Sequence, residues 1–248
     1  MSAGSGQPFS VLLARRVPAR EVHIRWEKGP ALPARVERVV KERWQGAPQA
    51  RCGDQLFDGE IAGLASWELT DDGLALHLFP MRYRYVWYLY TATREGASSE
   101  ITEQLPRALG TSAVVRRGDA ILLMRRSDWV AEFPGRLDVF GGHIERDTAG
   151  SWLGPVESIV RELVEELGCG AEALVVPCCL GLVQVRTTGK PELVFYAEVD
   201  RRARLQLNEE SRGTVEVPVS EVARFLRRSL DRLTPAAAGS LWLWLRSN

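Results

Sequence analysis

Hydrophobic positions change rhythm several times along the chain, and each change predicts an element. Phe9 to Ala14 is a short apolar run, and Val22, Ile24 and Trp26 alternate with His23 and Arg25 as on a half-buried strand. Between Ala31 and Trp44, Leu32, Val36, Val39 and Val40 recur at helical spacing. Two further strands are expected over Glu60–Leu69 and Gly73–Phe79, joined by the turn Asp71-Asp72-Gly73. The aromatic run from Tyr83 to Tyr90 is expected to be an antiparallel strand whose rings belong to a core or an interface. Thr91 to Glu100 is polar and reads as a linker, with Ser99 placed to cap a short helix through Leu105.

From Gly110 the apolar runs lengthen. Thr111–Arg117 and Ala120–Arg126 are expected strands about the tight turn Gly118-Asp119, and Leu137–Ile144 is another, passing through Gly141-Gly142. A helix is expected from Pro155 to Leu167, with proline suited to its first turn and Gly168 to its stop. Leu174–Arg186 and Glu192–Val199 form a hairpin about Thr188-Gly189-Lys190. A short strand near Val215 and helices over Ser220–Leu230 and Pro235–Leu245 complete the chain. This order of elements is α+β. It divides into a small N-terminal α+β domain with linker, residues 1–104, and a second domain, residues 105–248.

The 248 residues are enough to bury a sizeable core, and 45% hydrophobic with 26% charged residues is a soluble globular balance. The formal net charge is zero, which counts against a nucleic-acid partner bound through a broad basic surface. Of 32 basic residues only Lys28, Lys41 and Lys190 are lysines. Cys52, Cys169, Cys178 and Cys179 form no C-x-x-C pair, and Cys178 and Cys179 occupy opposite faces of one strand, so neither a disulfide nor a zinc site is expected. Met1 to Arg20 lacks the apolar run of a secretory leader, and no segment approaches the roughly 20 apolar residues of a membrane span. A cytoplasmic protein with no membrane partner is the expectation. His23 and His77 have no partners visible in the sequence.

The helix over Pro155–Leu167 carries the chemistry. At about 100° per residue, Val156, Ile159, Val160, Leu163, Val164 and Leu167 share one arc, while Glu162, Glu165 and Glu166 gather opposite it. Three neighbouring carboxylates repel one another, and they stand in the last turns, where the helix dipole disfavours negative charge. A cation relieves both penalties, and an oxygen-rich set suits Mg²⁺, with Mn²⁺ as substitute. A solvated acidic face is the alternative for a glutamate triplet alone. The preceding Gly141-Gly142-His143-Ile144-Glu145 favours the metal, since glycines let backbone approach ions and phosphate closely.

Arg161-Glu162-Leu163-Val164-Glu165-Glu166-Leu167-Gly168-Cys169 resembles the second half of the Nudix box, G-x5-E-x7-R-E-U-x-E-E-x-G-U, where U is a bulky apolar residue. The first half departs from it. Eighteen residues separate Gly142 from Arg161 where the box has 13, and Leu153 stands where the box has a glutamate. In the family that glutamate pairs with the arginine, so Arg161 needs another partner, with Glu145 and Glu157 the local candidates. Met124-Arg125-Arg126-Ser127, Pro134-Gly135, Asp138-Val139, Glu210-Ser211 and Pro235-x-Ala237-x-Gly239 resemble the animal group of the family that cleaves UDP-glucose and UDP-galactose and also carries an expanded box.

The resemblance implies a Nudix α/β/α sandwich joined to the N-terminal α+β domain, and hydrolysis of a nucleoside diphosphate sugar to a nucleoside monophosphate and a sugar 1-phosphate. It implies metal ligands Glu162, Glu165 and Glu166 with the carbonyl of Gly141, and a base that is either a box glutamate or Glu210. Arg125 or Arg126 is expected to grip diphosphate oxygens, though alternation along a strand lets only one face the substrate. His143 is placed to contact substrate or to hold a neighbour. The alternatives are ADP-ribose, dinucleoside polyphosphate or coenzyme A as substrate, and a non-catalytic nucleotide-binding sensor. A second copy of the chain, in a homodimer, stands as a candidate partner.

Overall fold

In the computed structural model, residues 6–47, 57–96 and 99–247 are described, without the side chain of Ser99. Cys52 and the expected Ser99 cap therefore lie outside the described residues. The apolar runs after Gly110 are strands of one twisted sheet in the order β1 (Phe9–Pro18), β9 (Leu174–Val185), β10 (Pro191–Val199), β5 (Gly110–Arg117), β6 (Ala120–Arg126) and β11 (Ser211–Pro218). β10 and β5 run parallel, and the other neighbours are antiparallel.

Both faces of this sheet are covered, which explains why its strands read as near-continuous apolar runs. Successive residues of β5 serve opposite sides. Ala113 and Val115 pack with Ile159, Leu163 and Leu167 of α4 (Pro155–Leu167), whereas Val114 packs with Ala237, Ala238 and Leu241 of α6 (Pro235–Ser247). Cys178 and Cys179 divide between the same two cores, as their alternation predicts, and the three described cysteines are free thiols. The result is an α/β/α sandwich, with α5 (Val222–Arg228) beside α6.

β2 (Val22–Trp26), β4 (Gly73–Arg82) and β3 (Glu60–Thr70) form a second, three-stranded sheet, accompanied by α1 (Ala34–Gln45), α2 (Tyr83–Arg94) and α3 (Ser99–Gln104). Leu74, Leu76 and Leu78 of this sheet share a continuous core with α4. β1 comes from the first hundred residues yet forms an edge of the large sheet, pairing Phe9 with Val185.

Two expectations about elements need correction. Tyr83 to Tyr90 is helical, within α2, and the helix consumes the first part of the expected linker. Six consecutive residues, Tyr85 to Tyr90, are buried, and a helix enclosed on all sides leaves no period by which to tell it from a strand. Their burial places the rings in a core. The expected strand Leu137–Ile144 is two strands, β7 (Leu137–Asp138) and β8 (Phe140–His143), because the chain leaves β6 and crosses to β5 at Val139. Among the described residues no helix is long and apolar enough to cross a membrane.

Candidate active site

A cavity of about 790 Å³ opens where β8 and the N-terminal end of β5 meet the small sheet, the β9–β10 turn and the start of α6. α4 supplies its acidic wall. This helix forms where the sequence predicts because both ends are specified. The Glu157 carboxylate accepts from the Gly154 N–H at 2.6 Å, and Gly168 closes the helix at φ +60° with its N–H on the Val164 carbonyl.

The three glutamates do not share one face. Glu166 lies seven residues after Ile159, so it returns to the buried stripe; it is 4% exposed and its Oε2 accepts from the Gly141 N–H at 2.8 Å. Glu162 borders the cavity against Gly142, where a Cβ would come within 2.5 Å of the carboxylate. Glu165 turns the other way, its side chain 58% exposed and 3.8 Å from Arg161. Among the described residues no three His, Cys, Asp or Glu side chains converge closely enough to hold a metal ion. Of the three expected ligands, Glu162 lines the cavity, Glu166 is buried behind it on the Gly141 N–H, and Glu165 faces solvent.

The pair Glu162 and Glu166 has the electrostatics of a cation site. Burial pushes the Glu162 carboxyl up to about 7 against the pull of Arg161, and pushes Glu166 well up as well, with Glu162 adding to it. Glu210 lines the same cavity and raises both. Two buried carboxyls held against a Gly-Gly backbone, with a third acid nearby, fit a divalent ion with oxygen ligands. Gly141 sits at φ +151°, and a Cβ there would collide with the Thr111 carbonyl, so the approach of β8 to β5 depends on it.

The arginines separate as alternation requires. Arg126 lines the cavity, with its Nη1 3.2 Å from Asp138 and its Nε donating to the Glu132 carbonyl; Arg125 is not among the lining residues. Asp138 is fixed in turn by the Thr234 hydroxyl at 2.6 Å and the Val139 N–H at 2.9 Å. His143 also lines the cavity, edge-on to Tyr83 with ring centroids 6.0 Å apart. Its Nε2 is buried without a partner, and burial together with nearby Lys190 holds the imidazole neutral.

Sequence reasoning assigned no role to Lys190, Glu192 or Glu132 and gave Tyr83 to a core or an interface; all four line the cavity. Tyr83 was hidden by the misread aromatic run. Lys190 read as a turn residue, and the acids that surround it come from a strand and a distant loop.

Comparison with known proteins follows the same lines. No family model matches the chain. Nudix hydrolase 9 of Arabidopsis thaliana is 27% identical over 203 residues, covering 67% of this chain and 63% of that protein. The Uridine diphosphate glucose pyrophosphatase NUDT22 of Homo sapiens is 28% identical over 164 residues, 56% of this chain and 54% of that one. Its Mus musculus counterpart is 26% identical over 160 residues, with 54% and 52% covered. The chain resembles Nudix hydrolases. It spans between about half and two thirds of the length of these relatives. A Nudix hydrolase from Nitrosomonas europaea of known structure is 15% identical, covering 57% of this chain and 90% of that one with a TM-score of 0.42.

The departure from the Nudix box now has a structural account. Arg161 Nη2 lies 3.1 Å from Glu145 Oε2, while Glu157 is engaged at the helix cap. Within the lengthened spacing between Gly142 and Arg161, residues 147–151 form a turn closed by Asp147, whose Oδ1 accepts from the Ala149 and Ser151 N–H groups.

Proposed function

We propose that the protein is a pyrophosphohydrolase dependent on a divalent cation, Mg²⁺ or Mn²⁺, and that its substrates are nucleoside diphosphate sugars such as UDP-glucose or UDP-galactose. The observation that carries this reading is the buried pair of Glu162, on the wall of a cavity that also holds Arg126, and Glu166 behind it, held by the Gly141 N–H. The name of two relatives, uridine diphosphate glucose pyrophosphatase, supports the choice of sugar nucleotide.

Glu162 and Glu166 are the residues to hold the ion, with the Gly141 backbone beside them. Such an ion neutralises phosphate charge and acidifies the attacking water. Arg126, fixed by Asp138, is placed to grip a diphosphate oxygen. Glu210 lines the cavity and is the candidate to take the proton of the water. His143, held neutral, is suited to donating or accepting one hydrogen bond rather than to adding charge. Hydrolysis between the two phosphates of UDP-glucose gives UMP and glucose 1-phosphate.

A panel of UDP-glucose, UDP-galactose, ADP-ribose, a dinucleoside polyphosphate and coenzyme A, each with Mg²⁺ or Mn²⁺, tests the reading. Turnover favouring the UDP-sugars is expected. No turnover of any member overturns the enzymatic reading, and a preference for another member overturns the substrate assignment.

A further inference from the structure

Away from the acidic wall, the cavity carries a second polar cluster that metal binding does not explain. Lys190 sits at the start of the strand returning from the β9–β10 turn, with its Nζ 3.2 Å from Glu192 Oε1 and 4.0 Å from Glu132 Oε2. The Ser112 hydroxyl donates to the other Glu192 oxygen at 3.0 Å. All three charged side chains are at most 16% exposed.

Room for the cluster is built into the sheet. Glu192 is paired in register with Gly110 of β5, and a Cβ at residue 110 would come within 2.1 Å of its carboxylate oxygen. Buried ion pairs contribute little to stability compared with apolar residues of the same volume, so folding alone does not account for this one. The choice of cation is equally pointed. In a chain where only three of 32 basic residues are lysines, Lys28 and Lys41 are exposed and Lys190 is the one enclosed in the cavity wall. An ammonium offers three tetrahedral donors in a compact head, whereas a guanidinium needs a wider planar space.

Charge balance says what such a head can meet. Lys190 is already faced by two carboxylates, Glu192 and Glu132, so acid outnumbers base around this ammonium. A phosphate placed here would be repelled by the carboxylates. A neutral group that accepts from the ammonium and donates to a carboxylate would satisfy both.

We propose that the Lys190–Glu192 pair is a specificity-determining element that reads a neutral donor–acceptor group of the substrate, either the hydroxyls of the sugar or the edge of the base. The inference rests on the cavity being the substrate site assigned above. Lys190 touches the substrate outside the reacting diphosphate, and Glu132 and Ser112 position the pair.

The test compares wild type, Lys190→Met, Lys190→Arg and Glu192→Gln on three probes with Mg²⁺: UDP-glucose, ADP-glucose and the methyl ester of uridine diphosphate, which has a methyl group in place of the hexose. For Lys190→Met a rise in KM for UDP-glucose on the order of tenfold is expected, the loss of one charged hydrogen bond. A penalty several times smaller on the methyl ester assigns the sugar. A penalty kept on the methyl ester but several times smaller on ADP-glucose assigns the base. Equal penalties on all three probes, or full rescue by Lys190→Arg, overturn the proposal. Glu192→Gln keeps the shape of the pair and is expected to show the same pattern, so it carries the test if Lys190→Met does not fold. If wild type turns over none of the probes, the hydrolase reading fails by itself. Thermal stabilisation by UDP-glucose without metal then decides the inference: its loss in Lys190→Met supports it, and an unchanged shift overturns it.

Discussion

Arg161 Nη2 stands 3.1 Å from Glu145 Oε2, and the same guanidinium nitrogen is 3.6 Å from Glu162. The pair joins β8's outgoing chain to the helix that carries the acidic wall, across the expanded part of the Nudix-like motif. Both side chains are partly exposed, at 30% and 44%, so the pair adds no more than about 1 kcal/mol to stability. Its consequence is positional, because it shares the Arg161 guanidinium between Glu145 and Glu162.

Glu145→Gln is therefore expected to change thermal stability little and to lower activity several-fold, as Arg161 shifts toward Glu162. Glu157→Gln should do the opposite. It weakens the cap of α4, by about 0.5–1 kcal/mol, and leaves turnover near wild type. Thermal melts with steady-state rates on both variants check the pair of outcomes.

Glu166→Gln separates stability from function more sharply. Glutamine keeps an oxygen to accept from the Gly141 N–H and removes the repulsion with Glu162, so the metal-free variant is expected to melt at or above the wild-type temperature. Turnover is expected to fall by more than the roughly 10–100-fold typical of residues that merely support a metal ligand. A stable variant with full activity would remove Glu166 from the site.

The Glu162 carboxyl supplies a pH signature. In the folded, metal-free protein it is pushed up to about 7 from 4.5, chiefly by burial, with Glu165, Glu145 and Glu210 adding to it and Arg161 opposing. The folded state then keeps a proton that the unfolded chain releases. Its contribution to stability is complete below about 4.5 and is lost as pH rises toward 7. Stability of the metal-free protein through this group should therefore fall between pH 5 and pH 8. A divalent ion binds the ionised form, so the rise in Tm on adding Mg²⁺ should be larger at pH 8 than at pH 5.5. Equal shifts at the two pH values would contradict it.

α2 lines the cavity with Tyr83 and also holds a neighbouring loop of its wall through a hydrogen bond. The Phe133 N–H donates to the Tyr90 hydroxyl at 2.8 Å, and Phe133 is the one non-glycine residue at positive φ among the described residues. Tyr90→Phe removes the acceptor at a cost of about 1 kcal/mol and frees the loop on which Phe133 lines the cavity. A Tm lower by about 2–4 °C is expected, with KM raised more than kcat is lowered; an unchanged KM would show that the loop does not shape the site.

How much of this was legible in the sequence depended on whether the signal was local. α4 was readable because Pro155 and Gly168 mark its ends within its own segment, whereas Glu157, a candidate partner for Arg161, caps the helix instead. The split between Arg125 and Arg126 followed from strand alternation, although which of them faced the cavity required the fold. The different burial of Glu165 and Glu166 was not legible, because clustering at i, i+3 and i+4 says nothing about which side of the cluster the sheet will cover. α2 was misread because an apolar run buried all round has no period. Lys190 was missed because its partners, Glu132 and Glu192, belong to a loop and a strand that meet only in the folded sheet.

The central claim is cleavage of a sugar nucleotide at the site of Glu162 and Glu166, and phosphorus NMR of UDP-glucose incubated with the protein and Mg²⁺ tests it most directly. The diphosphate resonances are expected to give way to those of UMP and glucose 1-phosphate with wild type and to persist with Glu166→Gln. An intact diphosphate after prolonged incubation with wild type, or equal cleavage by both proteins, would contradict it.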